Sequence, residues 1–472
     1  MGTGAVRALS AATLVVAVAG YAVIVIAGQA MDTVGYEAFT VFWGMFFALA
    51  GLLDGLLQET TRAVAGQRVA ASDTVPTTAP TTAAATTSTA ATAPATPDTG
   101  RRPSARPLLV TAGFAAVTAA LALGTAPLWA DQVIPADSGL HGWGVALLAA
   151  GLASYAFQAA VCGLLSATTR WATYAWLISI DSAIRVVLAL VAWVAGWHLL
   201  AFLVVTVLGA FTWLGALLLS PATRSLLGEV ADVPTGEFIR RTIKAMLASG
   251  ANAVLITGFP VLITVTSGPE VAAGSLAAVI TAVTLTRAPV LVPLQRFQPA
   301  LIVHFATQRS RTLRACLTPC ALVIGVAAFG GVAAYWLAEP IMLWFFDADL
   351  VSAPIVLAAL TVASGSTAVL MITGSATHAA ERHTLYLAGW AVATVVAVGL
   401  LAVDASPETR AVLSLGLAPL VGAAVHLGFL VGRPDVSSAT WAGRSLARPS
   451  RLTSLRTQRN RPAGSSARTP RQ

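Results

Sequence analysis

TRWATYAWLISIDSAIRVVLALVAWVAGWHLLAFLVVTVLGAFTWLGALLLSPATR, residues 169–224, reads as two apolar runs joined by a short turn. The runs, 172–195 and 198–220, are each long enough to cross a hydrocarbon core, which takes about 20 helical residues. Arg170 and Arg224 stand at the outer ends of the pair, and the turn at Gly196–His198 has neither Arg nor Lys. Loops on the cytoplasmic side keep Lys and Arg, so both outer ends lie on one side of a membrane and the turn on the other.

The same pattern extends in both directions. Apolar runs fall at about 8–28, 36–58, 107–130, 143–166, 172–195, 198–220, 244–266, 271–295, 315–338, 352–374, 384–403 and 409–432. Every second gap holds basic residues: Arg62, Arg68, Arg101, Arg102 and Arg106, then Arg170, then Arg224, Arg240, Arg241 and Lys244, then Arg296, Arg309, Arg311 and Arg314, then Arg382. The other gaps are neutral or acidic, with Arg410 as the exception. The expectation is an all-α integral membrane protein with twelve transmembrane helices and both termini cytoplasmic. Composition agrees: 57% apolar, 10% charged and a mean hydropathy of +0.78, where soluble domains carry about 25% charge. The first run exceeds the usual length of a signal-peptide apolar core, so it is read as a span, although Gly28-Gln29-Ala30 resembles a cleavage site.

The runs divide six and six. Residues 1–220 form an N-terminal bundle, 221–243 a cytoplasmic loop between bundles, and 244–432 a C-terminal bundle. Within the first bundle, 66–106 is a Thr/Ala/Pro-rich cytoplasmic insert whose composition cannot offset its ordering entropy. The tail 433–472 holds nine Arg against one acid, Asp435, and carries the whole net charge of +8. That tail suits anionic lipid headgroups. Nucleic acid is not an expected partner, since Trp441 is the only aromatic residue among those arginines.

No enzyme chemistry is legible. Cys162, Cys316 and Cys320 give no disulfide framework, and His378 and His383 lack companions for a metal site. There is no P-loop, nucleophile elbow or dinucleotide fingerprint. Neither cofactor nor metal is expected.

Charges at membrane depth are the informative residues, because each costs roughly 2.5–3.5 kcal/mol on the lenient insertion scale. Asp181 and Arg185 are spaced i,i+4 on one helix face, as a locked pair or as a gate. Arg287 has no acid one turn away. It would grip an anionic group bidentately, snorkel to the surface, or pair with Asp54 or Asp181. Asp54, a turn inside the second run, is a candidate gate, a coupling site or an interfacial residue. Gly258 and Pro260 in the seventh run and Pro289 and Pro293 in the eighth are candidate helix breaks.

Two stretches carry a resemblance. GYEAFTVFWGMFFALAGLLDGLLQETTRAV (35–64) and LTRAPVLVPLQRFQPALIVHF (285–305) resemble the oligosaccharide (O-antigen-type) flippases of actinobacteria, in the multidrug/oligosaccharidyl-lipid/polysaccharide exporter superfamily. The resemblance implies two six-helix bundles in a V, with alternating access to a cavity lined by spans one, two, seven and eight. It implies an inner-to-outer flippase for a polyprenyl-(pyro)phosphate-linked saccharide or related envelope glycolipid, with Arg287 as the phosphate-binding candidate. Envelope glycosyltransferases would be partners. The chain departs from the lipid II flippase branch, having no charge in its first run after Arg7. It departs from the multidrug branch too, having no acid in its first or seventh run. A small-molecule or drug exporter of the same superfamily, and a non-transporting scaffold for envelope-polysaccharide synthesis enzymes, remain alternatives. An acid in an apolar, aromatic cavity would favour the exporter, and a sealed apolar core the scaffold.

Overall fold

The structure is a computed structural model that describes residues 3–73, 104–268, 271–272, 274–307, 312–380 and 382–431. Among these residues the chain is helical, apart from an isolated antiparallel bridge between Ser104 and Pro234. The first half contains α1 (Thr3–Ala30), α2 (Thr33–Asp73), α3 (Pro107–Gly124), α4 (Ala126–Val133), α5 (His141–Ala167), α6 (Trp171–Val194), α7 (Leu199–Leu208), α8 (Thr212–Leu219) and α9 (Pro221–Arg224). The second contains α10 (Thr235–Ile256), α11 (Phe259–Ser267), α12 (Ala277–Thr307), α13 (Thr312–Leu343), α14 (Pro354–Ala379), α15 (His383–Leu401) and α16 (Pro407–Val431). Among the described residues ten helical segments are long and apolar enough to cross a membrane, and the bent pair α10–α11 makes an eleventh. The apolar stretch of α12, Ala277–Leu291, is shorter. The chain is a multi-pass membrane protein.

Several boundaries differ from the sequence expectation. The insert expected over 66–106 is narrower, because α2 stays helical to Asp73 and Ser104–Arg106 is docked. Arg68 pairs with Glu229 at 2.5 Å, the Ala105 N–H donates to the Val233 carbonyl at 2.9 Å, and the Ala231 N–H donates to the Ala105 carbonyl at 2.8 Å. Residues 74–103 and the tail 433–472 lie outside the described residues. The loop between halves is also shorter than 221–243: α9 and a 3-10 turn open it, and α10 begins at Thr235 rather than at 244. The eighth run starts late, at Ala277, because Gly274 turns the chain at a φ of 88°.

With lipid as solvent, apolar burial does little to draw helices together, and close packing of small residues takes its place. α2 packs on α5 and α10, α1 on α6, and α14 on α12 and α13. The α2–α10 seam joins the two halves through glycine. A Cβ at Gly51 would sit 2.6 Å from the Ala253 Cβ, and one at Gly55 would overlap the Met246 main chain. α14 is the most enclosed span, with 67% of its apolar window buried, against 28% for α13. α13 accordingly shows Leu322, Phe329 and Trp336 to the lipid.

The basic ends of α2 and α6 gather on the loop between halves, at one end of the bundle. There Arg62 pairs with Glu59 at 2.6 Å and with Asp232 of the loop at 3.0 Å. Arg170 donates to the Ala222 carbonyl. At the opposite end Arg410, the exception to the charge pattern, is buried. It donates to the Leu401 carbonyl and to Ser267 Oγ, both at 3.1 Å, tying α16 to the ends of α15 and α11.

Candidate functional site

A cavity of about 890 Å³ lies between the halves, walled by α1 and α2 on one side and α10 and α12 on the other. It reaches toward the arginine-bearing end, where Gln58, Gln298 and His378 line it. Toward the opposite end it is closed. Thr281 Oγ1 donates to the Tyr36 hydroxyl at 3.1 Å, the Leu276 N–H to Glu37 at 2.7 Å, and Gln29 to the Phe345 carbonyl at 2.7 Å.

Arg287 is on α12 in this cavity, 4% exposed. Its Nη1 donates to the carbonyls of Leu255 and Ile256 at 3.4 and 3.3 Å. Those carbonyls are in the last turn of α10, where no further turn supplies donors. The chain is bent there by 65° into α11, with Thr257 and Gly258 between the helices and Pro260 in the first turn of α11. The broken helix therefore presents its partially negative end to the guanidinium. Nε and Nη2 of Arg287 find no partner among the described residues, and no ion pair joins Arg287 to Asp54 or Asp181. α12 itself runs without interruption through Pro289 and Pro293. Each proline still withholds an N–H from the carbonyl four residues earlier.

The opposite wall holds the two acids. Asp54, on α2, accepts from the Tyr155 hydroxyl at 2.9 Å. Asp181 Oδ1 accepts from Arg185 Nε at 3.0 Å, and Nη2 lies 2.9 Å from the same oxygen as an ion-pair contact without hydrogen-bond alignment. Arg185 also donates to the Thr206 carbonyl and lies over the rings of Trp43, Phe46 and Phe47, 5.0 Å from the last. Its charge is thus met by a carboxylate, a carbonyl and three aromatic faces. Gly209 makes room for it, since a Cβ there would overlap both Asp181 and Arg185.

The structure also brings Tyr155, Ser249, Asn252, His378 and Tyr386 to the cavity. Tyr155, Ser249 and Tyr386 escape sequence reasoning because they are ordinary polar residues on three different helices. His378 stands out in the sequence only as half of a histidine pair. Here its ring packs 4.0 Å from Tyr386, and among the described residues no group of three or more His, Cys, Asp or Glu is placed to hold a metal ion.

Relatives in mycobacteria match nearly the whole chain. The uncharacterized protein Mb3654 of Mycobacterium bovis is 39% identical over 427 residues, covering 90% of this chain and 91% of its own. The uncharacterized protein Rv1510 of Mycobacterium tuberculosis is 37% identical over 432 residues, covering 92% and 93%. This chain belongs to their family. No family model matches it. Among solved structures, the inward-facing conformation of a multidrug resistance MATE family transporter of the MOP superfamily superposes with a TM-score of 0.65, 14% identity, and coverage of 94% of this chain and 100% of that one. A MOP superfamily transporter from Pyrococcus furiosus gives a TM-score of 0.60, 14% identity, and coverage of 90% and 94%. The fold of the family is therefore that of MATE-type members of the MOP superfamily.

Proposed function

We propose that the protein is an alternating-access flippase that carries a polyprenyl-(pyro)phosphate-linked saccharide or related envelope glycolipid from the inner to the outer leaflet of a bacterial inner membrane. One observation carries the reading. Arg287 is a buried guanidinium in a large cavity, with two nitrogens unpartnered and no acid bonded to it. Such a group is costly unless something anionic occupies the cavity for part of the cycle. Planar donors match a phosphate bidentately. The arginine pattern supports twelve spans with both termini and the insert in the cytoplasm, so the cavity would open toward the leaflet in which such a lipid is made. Envelope glycosyltransferases would then be natural neighbours. A cavity with charged walls also supports transport over a passive scaffold.

The test is flipping of a fluorescent short-chain polyprenyl-phosphate hexose in proteoliposomes. Arg287→Ala should abolish it while expression and insertion persist, and unchanged flipping would overturn the role of Arg287. Depleting the protein from cells and identifying the lipid-linked saccharide that accumulates inside would name the cargo.

A second reading is favoured by Asp54. An acid held by a tyrosine, in a cavity that also presents Trp43 and Phe47, suits proton-coupled export of an amphipathic small molecule. Proton-driven efflux of a lipophilic cation that disappears in Asp54→Asn would select that reading.

A further inference from the structure

We infer that the cavity holds an uncharged, hydroxyl-bearing head group next to the phosphate, on a subsite built from Asn252, Tyr386 and His378 with Ser249 and Gln58. The inference rests on the phosphate reading of Arg287 and adds the chemistry of what the phosphate carries.

The position follows from the helix that cradles Arg287. Its partners are the carbonyls of Leu255 and Ile256. Asn252 precedes Ile256 on α10 by about one turn, some 5.4 Å toward the arginine-bearing end. Ser249 is nearly another turn on, and its Oγ accepts from the Gln58 amide at 2.9 Å. α15 packs against this part of α10 and sets Tyr386 beside Asn252. His378 then covers Tyr386, ring centroid to ring centroid 4.0 Å. All five side chains line the cavity. A phosphate on Arg287 therefore has its substituent against amides, hydroxyls and an imidazole, toward the arginine-bearing end of the cavity.

The wall is selective in kind. Amide, hydroxyl and imidazole groups donate and accept, as sugar hydroxyls do. Charge is disfavoured close by. Gly51 packs on Ala253 and Gly55 on Met246, so Asp54, just before Gly55 on α2, lines the cavity about one turn from Asn252 toward the arginine-bearing end. Of the two arginines that line the cavity among the described residues, Arg185 is taken by Asp181 and Arg287 by the phosphate. A carboxylated sugar would set its charge against Asp54 with no cation left to receive it.

Three probes test this on the full-length protein in nanodiscs: a short-chain polyprenyl phosphate, its neutral hexosyl derivative and its uronosyl derivative. The hexosyl probe should bind about tenfold or more tightly than the bare phosphate, as two or three well-made hydrogen bonds allow. The uronosyl probe should gain nothing. Asn252→Ala and His378→Ala should remove the hexosyl gain and leave bare-phosphate binding intact. His378→Gln, which keeps a donor and an acceptor, should retain part of the gain and guards against a folding defect. Equal binding of bare and hexosyl probes, or an equal gain for the uronosyl probe, would overturn the inference while Arg287-dependent phosphate binding keeps the flippase reading. If no probe binds, or Arg287→Gln changes nothing, both fall.

Discussion

Two arginines in membrane-embedded helices have opposite surroundings, and their variants should behave oppositely. Arg185 is met by the Asp181 carboxylate, by the Thr206 carbonyl and by aromatic faces, with only its Nη2 left without a hydrogen bond. Breaking a buried pair from one side strands a charge and costs about 3 kcal/mol or more, whereas removing both charges costs less. Asp181→Leu should therefore lower the melting temperature in detergent more than Asp181→Leu with Arg185→Leu does. Additive losses in that cycle would show that the pair is not coupled. Arg287 is unsatisfied, with Nε and Nη2 idle. Arg287→Met should raise the melting temperature while abolishing flipping, because it removes a desolvation cost that serves only the substrate. A lower melting temperature would show Arg287 to be a structural brace. Both arginines are visible in the sequence as charges inside apolar runs. Their difference is not, since three of the groups that satisfy Arg185 are aromatic rings more than a hundred residues away on α2.

At the level of elements, helix identity follows from long apolar runs and helix contact follows from missing side chains. Gly55 meets the Met246 main chain, which cannot rotate aside as a side chain would. Gly55→Val should cost upward of about 3 kcal/mol by overpacking and cut the yield of folded protein, with Gly113→Val as the control, since a Cβ at Gly113 meets nothing. The end of α5 offers the reverse case. Thr169 sits at a φ of 57° there, in the left-handed region that a β-branched residue enters at a cost. Thr169→Gly should raise stability by about 1 kcal/mol, read as a higher melting temperature. The bend between α10 and α11 follows from Gly258 and Pro260, as the sequence suggests, but which carbonyls it frees and which side chain takes them appears only once α12 is beside it.

Across the whole molecule, the cavity is sealed at one end by α1, α2, α12 and α13 and leads toward the other. Alternating access requires that seal to open. Cysteines introduced at Gln29 and Phe345, in a variant whose three native cysteines are replaced by Ala, should accept a short bifunctional thiol crosslinker. Crosslinking should stop flipping, and a cleavable linker should restore it on reduction; flipping that continues in the linked protein would argue against opening at this seal. The loop between halves is fastened to α2 by Arg62, whose side chain is 41% exposed. Its partner Glu59 is buried, with a side chain 6% exposed, so Arg62→Ala strands that carboxylate and should lower the melting temperature, and adding Glu59→Gln should restore part of the loss.

The sequence by itself determined the solvent and the path of the chain. Apolar runs of span length cannot be exposed to water, and the turns between them mark where one helix ends and the next begins. It also marked Arg287, Asp181 and Asp54, because a charge in an apolar run is conspicuous without knowing its neighbours. Tertiary structure decided what each charge meets. Lipid exerts no sequence-periodic demand on the inner faces of the helices, so the glycine seam between α2 and α10, the aromatic box around Arg185 and the polar wall of Asn252, Tyr386 and His378 form only where distant helices touch.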